Sequence, residues 1–385
     1  NPQKTGFAGF FFCFSRRQKN DTLRVMTACK IFTKAIIFSV GTVSAFSVHA
    51  QDINANWFTH FEFDTSNTAE ASDREFEWGE SALFLTGNIG RWSFLSEATF
   101  QAEKYRDKQF TLERIRVRYE FDRDNAISFG KMHTPVNYWN DNFHHGRYFF
   151  PTINRPASFG RFIPVHEIGI RLSGQSPMVD GVGYDLVVGS GQSAGNDVFA
   201  DGIQSYTASF SWLPTTGSKS VFSYYRDTIL DHEENPFHGG HHLGGQSGVI
   251  HDSASSAGDV RPESGEDIAY ELLSWSLHHE GDMWRSLTEL SSNRTDQGDW
   301  NWAGFQYLGY HLNDALSVYT LFDYVNVSRD EVHFTPGIVQ RYGIGTEWFV
   351  TSGVALKVEL REEQNRSTQV KTEGSVLEVQ LSLGF

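Results

Sequence analysis

From residue 51 onward the chain repeats one pattern. Stretches of roughly ten residues alternate apolar and polar side chains, and each is closed off by Gly, Asn, Asp or Ser. Period-two alternation puts successive side chains on opposite faces of an extended strand, so every stretch has one apolar and one polar face. Leu112 to Phe121 is the clearest case: Ile115, Val117, Tyr119 and Phe121 share one face, and Arg114, Arg116, Arg118 and Glu120 the other. Such strands either pack around an apolar core or close into a cylinder whose apolar face meets lipid. The aromatic residues favour the second arrangement. Trp57-Phe58, Trp92, Trp212, Trp284, Trp300, Trp302 and Trp348-Phe349 fall near strand ends, where amphipathic rings settle at a membrane–water interface. The pattern predicts an all-β transmembrane antiparallel β-barrel.

Sixteen candidate strands begin near residues 55, 75, 91, 109, 125, 166, 182, 204, 219, 267, 283, 299, 315, 337, 354 and 375. Connections after the even-numbered strands are short and turn-like, as at Asn88-Ile89-Gly90 and Thr351-Ser352-Gly353. Several after the odd-numbered strands are long, over about 134–165, 190–202 and 230–266. Short turns at one rim and longer loops at the other are what a bacterial barrel requires. The second strand changes face near Gly79, as at a bulge. Eight strands would fill with side chains, whereas sixteen leave an aqueous lumen.

The residues before 51 read as processing rather than fold. Residues 1–25 look like non-native upstream sequence, and Met26 is the first plausible start. Residues 26–50 then form a cleaved signal peptide: Lys30 and Lys34 supply the charge, Ala35 to Phe46 the apolar run, and Val48-His49-Ala50 the cleavage signal. Residues 51–385 make one barrel domain. Both cysteines, Cys13 and Cys29, lie in the discarded part, which excludes a disulfide framework and thiolate metal or haem sites there. Residues 1–50 hold seven of the 32 basic residues and one of the 47 acidic ones, so 25 and 46 remain, a net charge of −21. A chain this acidic is no nucleic-acid binder, and no cofactor motif is present.

The chain ends in Glu378-Val379-Gln380-Leu381-Ser382-Leu383-Gly384-Phe385, alternating strictly to a terminal phenylalanine. In this it resembles the outer-membrane porins. The resemblance implies recognition of Phe385 by the barrel assembly machinery, a homotrimer, contact with outer-membrane lipid and lipopolysaccharide, and passive diffusion of small hydrophilic solutes. Gly130-Lys131 and Thr134-Pro135 also resemble the porin pattern entering the third outer loop, which in porins folds into the lumen. The matching segment here is rich in aromatic residues, among them Tyr138, Trp139, Phe143, Phe150, Phe159 and Phe162, and has to pack against something. It carries Arg147, Arg155 and Arg161 against Asp141 alone. Beside Arg114, Arg116 and Arg118, these form a candidate basic lining at a constriction, since guanidinium groups in a narrow pore replace part of an anion's hydration; the arrangement resembles the arginine ladders of anion-preferring porins, including the phosphate-selective family. The same arginines also fit an unselective pore: Glu113 and Glu120 flank the row, and Lys357, Glu359, Arg361 and Glu363 would face the lumen as a mixed set.

A second cluster, His238, His241 and His242, lies in the acidic, glycine-rich stretch from Asp231 to Asp267. Imidazoles at that spacing are candidate zinc or copper ligands, or parts of a solvated loop. No motif places a catalytic serine, so an enzyme is not expected. His278-His279-Glu280 has no evident partner in the sequence. Two other readings stand beside the channel. One is a scaffold barrel sheathing a periplasmic or extracellular partner; the other is a surface metal-binding receptor or hydrolase.

Overall fold

The computed structural model describes residues 52–66, 74–101, 109–143, 150, 152–159, 163–192, 202–230, 267–296, 298–331, 333–334, 336–367 and 371–385. Residues 1–25 and 26–50, the upstream and signal segments of the sequence reading, lie outside the described residues, as do Arg147, Arg161, His238, His241 and His242.

The strands are β1 (Asp52–Ser66), β2 (Arg74–Ile89), β3 (Trp92–Gln101), β4 (Gln109–Glu120), β5 (Asn125–His133), β6 (His166–Gln175), β7 (Val182–Gly189) and β8 (Ser205–Trp212). They continue with β9 (Ser218–Ile229), β10 (Ile268–Glu280), β11 (Trp284–Thr295), β12 (Asn301–Asn313), β13 (Leu316–Val327), β14 (Gly337–Thr351), β15 (Val354–Ser367) and β16 (Lys371–Gly384). Each pairs antiparallel with its sequence neighbours, and β1 pairs with β16, so the sheet closes on itself. Every expected strand start lies within four residues of an observed one. A closed ladder leaves no unpaired edge, the condition for strands to stand in lipid.

The burial pattern is that of a protein turned inside out. Along β15 the inward side chains Lys357, Glu359, Arg361, Glu363 and Asn365 are at most 4% exposed, whereas Leu360 between them is 47% exposed. Trp57, Trp92, Trp212, Trp284, Trp300, Trp302 and Trp348 are all exposed, as interfacial girdles require. The last strand closes the barrel through Phe385. Its backbone exchanges two 2.9 Å hydrogen bonds with Trp57, and its ring stacks on the Trp57 indole at 5.7 Å.

The described ladder shifts register at four points, two of them on β2 and β4. The first falls where the sequence changes face: Thr59 pairs with Ser81 and Phe61 with Trp78, so Gly79 and Glu80 together oppose His60. A Cβ at Gly79 would stand 1.9 Å from the His60 Nε2, which is why glycine occupies that point. In β4, Arg114 pairs with Glu97 and Leu112 with Ala98, leaving Glu113 as the extra residue. Glu113 is fully buried, so both it and Arg114 belong to the inward side.

Candidate functional site: a basic wall facing a loop-lined wall

The candidate site is built on β4 and β6. Below its bulge, β4 presents Arg114, Arg116 and Arg118 at every second position, and their neighbours Ile115 and Val117 are exposed on the lipid side. Arg114 donates to Glu97 through Nε and lies 3.4 Å from the His133 Nδ1. Arg118 donates to the Ser173 hydroxyl at 3.1 Å and lies 3.7 Å from Glu120. Arg116 makes no hydrogen bond or ion pair with any described residue, and its Nε is buried. Its charged neighbours are Arg171, Arg114, Arg118 and Asp141.

Arg171, on β6, ties this wall to the connection that follows β5. Its Nε donates to Asp185 on β7 at 2.7 Å, and its Nη1 donates at 3.0 Å to Asp141, on the short helix Tyr138–Phe143 of that connection. Burial opposes charge on Asp141, but Arg171, with Lys219 and Arg116, outweighs it and holds the carboxyl below its ordinary range. The sequence reading did not single out Arg171. Its signal was there: Ile168, Ile170 and Leu172 are apolar, so period two turns Arg171 inward with Glu167 and Ser173.

The connection itself begins in a closed neck. Thr134 donates to the Pro164 carbonyl, and Asn140 Nδ2 donates to the Thr134 carbonyl at 3.0 Å. Asn137 has φ of 62°, a left-handed conformation that asparagine tolerates better than most residues. From there the described residues meet inward side chains of β9 to β16. Ser223 donates to the Pro135 carbonyl at 2.7 Å; the Tyr138 amide donates to Ser276 at 3.0 Å and the Trp139 amide to Glu289 at 2.8 Å. Further on, the Ala157 amide donates to Asp323 at 2.6 Å, the Ile153 amide to Glu359 at 3.4 Å, and Asn154 Nδ2 to Glu378, while Lys357 Nζ donates to the Phe150 carbonyl at 2.8 Å. Val136, Trp139, Phe150, Phe159 and Ile163 join Tyr225, Tyr270, Phe305, Tyr307 and Leu321 in one buried apolar cluster. Three of the carboxylates that receive the loop, Asp323, Glu359 and Glu378, are themselves held by arginines. Arg361 bridges Glu359, Glu378 and Glu363, and Arg341 lies between Asp323 and Glu363.

Arg155 is buried, with its Nη2 3.8 Å from Glu80 on β2. His278, without a partner in the sequence reading, stacks on Tyr138 at 4.5 Å and 10°. Glu280 lies 2.5 Å from Arg285. Arg114, Arg116, Arg118 and Arg171 are thus brought to one wall, whereas Arg155 is held at β2, two strands from β4.

No protein-family model matches the chain, and no curated protein matches it in sequence. Solved structures do. The outer membrane channel DcaP of Acinetobacter baumannii superposes with a TM-score of 0.59 at 8% identity, over 87% of this chain and 97% of its own. The fold is that of the outer-membrane porins. Its exposed apolar band is a surface for the outer membrane. An anion-selective porin from Comamonas acidovorans matches with a TM-score of 0.57 at 9% identity, over 87% and 99% of the two chains. A trimer form of OmpT of Vibrio cholerae gives 0.57 at 10%, again over 87% and 99%. In the porin fold, the connection between β5 and β6 is the third at the rim away from Phe385.

Proposed function

We propose that the chain is a passive, water-filled diffusion channel for small hydrophilic solutes that prefers anions. The observation that carries this is Arg116, a guanidinium without a described partner, held on the inward face among Arg114, Arg118 and Arg171. A cation of this kind gains most from a passing anion, whereas its neighbours already have carboxylate or hydroxyl partners. The connection between β5 and β6 takes up the β9 to β16 side and narrows the lumen toward β4. Arg114, Arg116 and Arg118 then line the remaining path. Arg155 acts as an anchor through Glu80, and Arg147 and Arg161 join the lining from the same connection. Residues 26–50 act as the export signal. Assembly as a homotrimer is supported by the trimer form of the OmpT structure, and no catalytic role is assigned.

Swelling of proteoliposomes tests this reading. Vesicles holding the barrel should take up small organic anions several-fold faster than cations of equal size, and uncharged sugars at an intermediate rate. Equal rates for both charges would leave an unselective pore, and no swelling from folded protein would favour a barrel occupied by a partner.

A further inference from the structure

At the rim opposite Phe385, on β6 and β9, stand two buried carboxylates with no described ion-pair partner. Glu167 opens β6 and Asp227 stands near the end of β9; they are 3% and 0% exposed. Neither makes an ion pair with a described residue, and Arg171, the cation that acts on Glu167, is already engaged by Asp141 and Asp185. Glu167 reaches across β7 to β8, where its Oε2 accepts from the Ser205 hydroxyl at 2.6 Å. Asp227 reaches the other way, across β8 to the segment after β7. There its Oδ2 accepts from the Gln192 amide at 2.7 Å, and it also accepts from the hydroxyl of Tyr225 on β9 itself at 2.8 Å.

The two side chains lie against Gly189 and Gly191 respectively, two residues apart on one segment. A Cβ at Gly189 would lie 2.6 Å from the Glu167 Oε2, and one at Gly191 would lie 2.1 Å from the Asp227 Oδ1. Glycine at both points opens the space that the carboxylates occupy, and Gly191 also has φ of +76°. Each carboxylate keeps one buried oxygen without a hydrogen bond, Glu167 Oε1 and Asp227 Oδ1. A third such oxygen is independent of the acids. Thr207 Oγ1, on a residue 3% exposed, has no partner and lies on the inward face of β8 one pleat from Ser205, beside Tyr225 of β9.

We propose that Glu167 and Asp227, with the Ser205 and Thr207 hydroxyls and nearby backbone carbonyls, bind one divalent cation, Ca²⁺ by preference, at the outer rim. Buried negative charge is tolerated when paired or when it coordinates a metal. Two carboxylates and a remainder of neutral oxygens suit the flexible, oxygen-only shell of Ca²⁺. Mg²⁺ keeps its waters and demands octahedral geometry, which an enclosed cluster accommodates poorly. The ion would join β6, β8 and β9 at the points where the long outer connections begin and end.

The test is Ca²⁺ titration of the folded full-length barrel by calorimetry, with Tb³⁺ as a luminescent probe that Tyr225 can sensitise. Folding of every variant is checked by heat-modifiable gel mobility. The proposal expects one Ca²⁺ per barrel bound more tightly than Mg²⁺, with tyrosine-sensitised Tb³⁺ emission that Ca²⁺ displaces. Both signals should fall at least tenfold in Glu167→Gln/Asp227→Asn. They should also fall in Gly191→Ala, which keeps the charges but fills the cradle. Equal binding by wild type and the double variant would mean adventitious uptake by the acidic loops and would overturn it. So would the absence of binding by wild type at millimolar Ca²⁺, which would mean the two acids are held protonated.

Discussion

Four arginines on β4 and β6, with β5 between them, differ in what holds them, and that difference assigns their roles. Arg114 is fastened to Glu97, Arg118 to Ser173, and Arg171 to both Asp185 and Asp141. Arg116 has no described hydrogen-bond partner. Arg116→Ala should therefore leave thermal stability unchanged or slightly raised, because it removes like-charge repulsion and breaks no described bond. Arg171→Ala should do the reverse: it strands two partly buried carboxylates and should cost about 3–5 kcal/mol, read by urea titration in lipid vesicles. The β4 arginines were legible in the sequence because period two exposes them as a row. Arg171 was missed because it is a single charge in β6, and its partners Asp141 and Asp185 come from other elements that only folding brings together. The same limit left His278 unplaced, since its stacking partner Tyr138 is 140 residues away.

The connection between β5 and β6 behaves as an element in its own right. Its aromatic content announced that it packs, and Trp139, Phe150 and Phe159 do enter a buried cluster. Nothing in its sequence specified the receiving strands, because the carboxylates that accept its amides, Glu289, Asp323, Glu359 and Glu378, look like ordinary inward residues of a polar lumen. Asp323→Ala removes both the acceptor of the Ala157 amide and an Arg341 partner. It should cost about 3–5 kcal/mol and make single-channel current noisier as the connection loosens. At the other end, Asp141 adds a pH dependence. Its folded value lies below its unfolded one, about 3.9, so its contribution is complete above that value and is lost as pH falls through the lower folded one. Protease nicking of the connection should stay constant from neutral pH down to about 4 and rise only below it; Asp141→Asn should show the raised level throughout.

Strand number, order and approximate limits were legible from alternation and turn residues, because a lipid-facing wall imposes the same two-residue rule on all sixteen strands. Closure was legible as well, from the demand that no strand edge stand unpaired in lipid, and the pairing of β1 with β16 meets it. Phe385 marks that seam. Phe385→Ala loses the Trp57 stacking, worth about 0.5–1.5 kcal/mol; deleting Phe385 also removes two backbone bonds and should lower the fraction of heat-modifiable barrel further. At this scale the claim is that a closed barrel, lined on one side by a loop and on the other by an arginine without a described partner, conducts ions and favours anions. The most direct measurement is the single-channel reversal potential of the purified barrel in a planar bilayer under a potassium chloride gradient. The account predicts steady ohmic steps with an anion-favouring potential that moves toward zero in Arg116→Ala. A cation-favouring potential, or one unchanged by Arg116→Ala, would contradict it.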